Sequence, residues 1–506
     1  MERTRGKKMG KNLIRGRFKE NLDKLVEKFL AGKDILYDIQ LIPYDIYNNF
    51  AHHIMLNKIG AISDEDIKAI LIALKEIYKD WGLKKFRLKQ ELEDVHMNIE
   101  KAVADQVGPF IGGRMHLARS RNDQILTDLR LFMRDEIIEI QDLLIDLIST
   151  LLKKAEENLD TLYIGYTHTQ QAQPITFAHW CMAHVDALYR DLERLIQTYY
   201  RVNTNPLGAA AIAGTSWPID RQYTAELLGF EGIQENTLDV VSSRGEFLSD
   251  LLSNFTIIMI HLGRIAEDLI LGTTSEFGYI TLSDRYSTGS SIMPHKKNPD
   301  VLELIRARTG VMLGNLTKVF GILKGLPSGY NRDHQELKEP LFSSIETIKP
   351  SLKVLTGLLA TIKLNKEVIK RILQNNFLMA TELVDLLIKE WNIPFRTAYT
   401  LIATYIKENP EKNEFHPETL KEFLNKSKNS NQKNITLEMI QSALDPLEAI
   451  KRRNHIGGPS PQEEQRMILD RKEKLEKMKE KILNNKKKIN QVFSQLLRLV
   501  DTIIAK

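Results

Sequence analysis

Cysteine is nearly absent, Cys181 being the single one in 506 residues. That excludes an intramolecular disulfide and a cysteine-built metal site, and it fits a chain working in a reducing compartment, with Cys181 as buried helix filler. Long hydrophobic runs are missing too: nothing approaches the ~18 apolar residues of a membrane span, and no signal-peptide hydrophobic region follows the N-terminus, so a soluble, cytoplasmic protein is expected. Net charge is small for this length, +5, but unevenly placed. Met1–Arg17 holds Arg3, Arg5, Lys7, Lys8, Lys11, Arg15 and Arg17 against Glu2 alone. With no aromatic residues interleaved to stack on bases, this stretch reads as a solvated arm, and neither nucleic acid nor membrane is an expected partner.

Strand-type alternation is scarce, whereas helical spacing runs through the chain. Tyr47, Phe50, Ala51, Ile54 and Met55 recur at three- and four-residue steps within Tyr44–Ile59, and Ser63 before Asp64-Glu65-Asp66 reads as the N-cap of the next helix. From Asn122 to Asn158 one long helix is predicted, with Ile137, Ile140, Leu144, Leu147, Ile148, Leu151 and Leu152 on one broad stripe. A helix of that length buries such a stripe only against other helices. Comparable segments at Thr176–Val202, Ser243–Leu271, Pro299–Leu323 and Pro340–Ile362 predict an all-α protein built on an elongated long-helix bundle. The polar stretch Asn413–Asn434 reads as a mobile loop. Beyond Pro461 apolar residues keep a seven-residue frame from Ile468 through Leu475, Ile482, Ile489 and Leu496 to Ile503, with Asn485 at one core-type position. That predicts a coiled-coil-like tail whose partner the spacing does not select.

The stretch richest in chemistry is Thr288-Gly-Ser-Ser-Ile-Met-Pro-His-Lys-Lys-Asn-Pro-Asp300. Small residues let backbone approach a ligand, two prolines stiffen the loop, and successive N–H groups with Lys296 and Asn298 can cradle an anion. Gly-Ser-Ser alone would pass for a connector between helices; the full stretch is harder to explain that way. It resembles the signature of the superfamily of fumarases, aspartases, adenylosuccinate lyases and argininosuccinate lyases. Further segments, from about Gly16 to about Pro461, are similar to argininosuccinate lyases in particular. Gly16-Arg17-Phe18 resembles their start, and Glu91–Glu100 their first signature region, in which the residues matching Asp94 and His96 line the substrate pocket. Read alone, that region could be a solvated acidic helix.

Gly112–Gln124 leads from a glycine turn into a helix, and Ser120-Arg121-Asn122-Asp123-Gln124 is close to diagnostic for that family. Arginines at a helix entrance suit a carboxylate-rich substrate, because guanidinium binds carboxylates bidentately and helix N-termini attract anions. The resemblance makes Ser120, Arg121 and Asn122 substrate-binding, Thr167 and His168 a threonine–histidine pair at the substrate, and Tyr330, Gln335 and Lys338 holders of the substrate's arginine part and carboxylates. The family's serine four places before the aspartate matched by Asp38 is replaced here by Asp34, which puts carboxylate binding at that point in doubt.

What the resemblance implies is reversible β-elimination of argininosuccinate to arginine and fumarate, a carbon–nitrogen lyase step of arginine biosynthesis. Ser290 matches the base, His168 the acid, and Glu303 the carboxylate paired with that histidine. Lys296 and Asn298 are placed to stabilise the dianion formed when the proton beside a carboxylate leaves. No metal or organic cofactor is expected. The implied assembly is a homotetramer with a twenty-helix core and active sites shared between subunits. Expected domains are 1–113, a helical domain with the arm; 114–367, the central bundle; and 368–506, a helical domain with the tail. Elimination on another succinyl adduct, as in adenylosuccinate lyase, and a non-catalytic structural homologue are the competing readings. The Ser120–Gln124 segment with Gln335 and Lys338 argues against the first, and the joint presence of Ser290, His168, Lys296 and Glu303 against the second.

Overall fold

Residues 23–374, 377–410 and 413–506 are described by the computed structural model. The basic arm and Gly16-Arg17-Phe18 fall outside the described residues. Helices α1 (Ile42–Lys58), α2 (Asp64–Gly82) and α3 (Val95–Val107) form the first part. Ser63 caps α2 as expected, its hydroxyl accepting the Asp66 N–H at 3.2 Å.

The centre consists of α4 (Arg121–Glu156), α5 (Phe177–Val202), α6 (Glu246–Thr273), α7 (Asp300–Leu323) and α8 (Lys338–Thr361). All seven stripe residues of α4 named above are buried. α4 packs on α5 and α8, and α6 on α5 and α7, so the stripes face one another. The architecture is all-α, as the spacing predicted. α6 starts later than expected, at Glu246, with residues 237–242 forming a separate short helix before it.

Two expectations change. Residues Gly165–Pro174, read as a loop, lie in an antiparallel hairpin of β1 (Leu162–Thr167) and β2 (Gln170–Thr176). The β-prone run Leu-Tyr-Ile-Gly-Tyr-Thr supports it, with Tyr163 and Ile164 buried. The stretch read as a mobile loop holds a helix instead. In the second core, α9 (Ala380–Trp391), α10 (Phe395–Glu408), α11 (Pro417–Ser427) and α12 (Leu437–Leu444) pack together, and Leu420 and Leu424 of α11 are fully buried, one turn apart. Pro417 at the first turn and that apolar pair outweigh the polar composition.

The tail is one helix, α13 (Pro461–Ala505), 45 residues long. It lies along the bundle, against α4, α2, α5, α1 and the short helix at residues 221–228. Ile468, Leu475, Ile482, Ile489 and Leu496 are buried there in the main core, while Asn485 is half-buried. The heptad frame is therefore satisfied within the chain.

Candidate active site

A cavity of about 200 Å³ opens between the N-terminal segment, the α3 and α4 entrances and the loop before α8. Local capping sets its first wall. Asp94 is the N-cap of α3, accepting the Met97 N–H at 2.9 Å, and its other oxygen receives Arg121 Nη1 at 3.0 Å. Ser120 caps α4 in a capping box with Asp123, which places Arg121 and Asn122 on the first helical turn. Asp123 is itself buried and accepts the Gly208 and Ala210 N–H groups at 2.9 and 2.8 Å, tying the 206–211 turn to this entrance. Asn122 donates to the Ala211 carbonyl at 3.1 Å.

The opposite wall comes from the segment after α7. Gln335 Nε2 donates to the Leu30 carbonyl at 2.7 Å, and Tyr330 lies under the Arg244 guanidinium, 5.2 Å from ring centroid to Cζ. Lys338 is buried and donates to Asp34 at 2.9 Å and Asp38 at 2.6 Å. Burial opposes its charge, yet the two carboxylates hold its pKa above the ordinary lysine value. Burial likewise pushes Asp34 upward, a pull that Lys338 only partly offsets. Asp34, at the family's serine position, is thus already engaged with a cation.

The cavity brings together Asp94, His96, Arg121, Asn122, Tyr330, Gln335 and Lys338. Ser120 serves as a cap beside it. The remaining candidates stand elsewhere on the chain. Thr167 and His168 are exposed at the hairpin tip, where His168 and Thr169 form a two-residue turn with φ of 55° and 58°, a left-handed geometry that side chains adopt at a cost. The loop from Thr288 is closed by pairing of residues 288–289 with 297–298, so Asn298 sits opposite Thr288. Within it Ser290 Oγ accepts the Met293 N–H at 3.0 Å and the Ile292 N–H at 3.4 Å. Lys296 is exposed on that loop, and Glu303 is exposed on the first turn of α7. Within one chain none of these groups lines the cavity.

Sequence reasoning missed Arg244, Arg332 and Glu93 as lining groups, whereas Asp34, marked by its place at the family's serine position, does line the cavity. Arg244 is the most informative: it is only 8% exposed and its Nε has no partner within the chain. Burial lowers its pKa, although Tyr330, Asp34 and Asp38 favour the charge. No motif marks it, since a buried charge at a cavity is visible only once distant segments close around it.

Comparisons with known proteins give the chain's family. A family model described as "Lyase" matches residues 16–314, and one described as "Argininosuccinate lyase C-terminal" matches residues 377–451. An argininosuccinate lyase of Methanocaldococcus jannaschii is 40% identical over 485 residues, covering 96% of this chain and 99% of that protein. One from Geobacillus is 42% identical over 448 residues, covering 88% and 95%. Among solved structures, an EDDS lyase in complex with formate superposes with a TM-score of 0.84 at 28% identity, covering 95% of each chain. A class II fumarase from Schistosoma mansoni shares the fold, with a TM-score of 0.68 at 18% identity over 84% of this chain and 92% of its own. Fold and family match together define a helical-bundle lyase. Within that class the chain belongs to the argininosuccinate lyase family, whose members are carbon–nitrogen lyases.

Proposed function

We propose that the chain cleaves argininosuccinate to arginine and fumarate in a site made of this cavity and of loops from other copies of the chain. The observation that carries the reading is the convergence of seven carboxylate- and guanidinium-binding side chains from three separate stretches on one cavity. A substrate with three carboxylates and a guanidino group has partners there for both kinds of charge.

Ser290 takes the proton from the succinyl carbon next to the departing nitrogen's carbon. A free hydroxyl is far too weak a base, so the alkoxide must be favoured by the amides already donating to Oγ and by Lys296. The electron pair moves into the adjacent carboxylate, whose charge Lys296 and Asn298 stabilise from a pre-formed loop. The carbon–nitrogen bond then breaks, fumarate forms, and His168, oriented by Glu303, protonates the guanidino nitrogen of arginine. No step uses a metal or organic cofactor.

The exposure of Lys296, His168 and Glu303, with Ser290 half-buried on the same loop as Lys296, supports a homotetramer with shared sites. So does the outer face of α6 and α7, where Ile260, Leu304, Val311, Leu313 and Phe320 are each exposed by 45% or more beside Gly310 and Gly314, which have open space around them. Among the described residues no helix is long and apolar enough to cross a membrane, and we assign the enzyme to the cytoplasm. The test is fumarate release from argininosuccinate, adenylosuccinate and malate in parallel. Fumarate from argininosuccinate alone is the expected result; none from argininosuccinate overturns the reading.

A further inference from the structure

Behind the cavity wall lies a buried cluster that the proposed mechanism does not use. Asp45 of α1 accepts three hydrogen bonds: His96 Nδ1 and Gln124 Nε2 donate to Oδ1, each at 2.7 Å, and Asn49 Nδ2 donates to Oδ2 at 2.9 Å. An acceptor-only carboxylate in that setting requires the hydrogen of the His96 ring to sit on Nδ1. Asp128 of α4 takes Asn48 Nδ2 at 2.9 Å on one oxygen, and its other oxygen lies 3.5 Å from the same His96 Nδ1. Two carboxyl groups and one imidazole thus meet with their donor atoms within 4.8 Å of one another, all buried. Like charges at that spacing oppose double ionisation. Burial, and next the charge of Asp45, push Asp128 well above its ordinary value, which favours its protonated form. For Asp45 burial pulls upward, but His96 and then Arg119 outweigh it and hold the group below its ordinary value.

The other edge of the ring is different. His96 Nε2 is enclosed and has no hydrogen-bond partner, although the side chain lines the cavity and is 5% exposed. A buried ring nitrogen without a partner is costly unless a ligand supplies one. We propose that Asp45 is a positioning residue, which fixes the His96 ring with Nδ1–H turned into the protein and holds the unpartnered Nε2 edge toward the cavity, where it meets a substrate carboxylate. Asp128 is its neutral neighbour. The proposal rests on the reading of the cavity as the argininosuccinate site.

The titratable and charged groups facing His96 are Asp45 and Asp128 behind, Asp94 and Glu100 on its own segment, Arg119, Arg121 and His116 beside it, and Asp34 and Lys338 across the cavity. Of these, Asp45 is the hydrogen-bonded carboxylate, so its removal acts most directly. An opposite charge in contact shifts such a group by ~1–3 pH units. The experiment is the pH profile of kcat/KM for argininosuccinate in the intact parent enzyme, in Asp45→Asn and in Asp128→Asn, with melting temperatures as folding controls. Asp45→Asn keeps an acceptor for Nδ1–H but loses the charge. Its alkaline limb should move to lower pH by about one unit or more, with KM rising while kcat changes less. In Asp128→Asn the limb should stay where the parent has it, because an amide mimics the protonated acid. This second variant keeps the test decisive even where Asp45→Asn fails to fold, since a limb displaced in Asp128→Asn would make Asp128 the charged partner and overturn the proposal. A folded Asp45→Asn with the parental profile and KM would overturn it as well. Activity lost to a chelator and regained with a divalent cation would give the cluster to a metal and do the same. A parent that releases no fumarate would instead overturn the functional reading itself.

Discussion

The proposed chemistry depends most on a single atom, Ser290 Oγ. Ser290→Ala deletes one hydroxyl from a half-buried loop position, so kcat should fall by roughly two orders of magnitude or more while helicity and melting temperature stay near the parent's. His168→Asn should be similarly impaired, and Glu303→Gln less so, because that carboxylate only orients and tunes the histidine; steady-state fumarate assays on the three variants check this ranking. A second expectation concerns stability. Burial, reinforced by Arg119, pushes His53 down to about 3 and also lowers His52 well below its ordinary value. These rings fold neutral but take up protons when unfolded, so stability is full above ~6.5 and declines as pH falls toward the folded values, by ~1.4 kcal/mol per group per pH unit. Melting temperatures between pH 7.5 and 5 should therefore drop more steeply in the parent than in His53→Gln, and parallel curves would contradict the assignment. Much of the residue-scale reading was available beforehand: Asp94, Arg121 and Lys338 were legible as candidates because they belong to recognisable segments. Arg244, Asp45 and Asp128 were not, since their importance comes from burial and from partners as distant in sequence as Asp34 is from Arg244, which no local pattern encodes.

The long tail helix is where an element carries a prediction of its own. α13 buries its heptad residues against the bundle, stacks Phe493 on Tyr47 with ring centroids 4.4 Å apart, and pairs Arg471 with Asp186, Lys472 with Glu156 and Lys486 with Asp142. The ion pairs are largely exposed and worth at most ~1 kcal/mol each, so the buried apolar side dominates. Truncation before Pro461 should lower the melting temperature clearly while argininosuccinate cleavage remains measurable, because every proposed catalytic and binding residue precedes it. A truncated protein that stays folded and assembled yet makes no fumarate would show that α13 completes the site. The helix itself was readable from its seven-residue frame, but the same frame serves an intramolecular groove or a partner helix equally well, so its docking place was not. The hairpin at His168 was hidden for a related reason: a turn whose two central residues are His168 and Thr169 carries none of the glycine or asparagine that ordinarily marks such a turn.

Taken whole, one chain holds the cavity at one place and the Ser290 and His168 loops at others. On the proposed reading, assembly brings them together. Leu313→Glu, on the exposed apolar face of α7, should therefore give smaller species by light scattering together with loss of activity; full activity in a monomeric variant would remove the need for assembly. The most direct test mixes Ser290→Ala chains with His168→Asn chains, dissociated and reassembled together, with the hybrids verified by mass. If the two loops reach each site from different copies, up to roughly a quarter of the sites in random hybrids receive both intact loops, and that fraction of the parental activity should return. Verified hybrids that stay as inactive as either parent variant would contradict a site shared between chains.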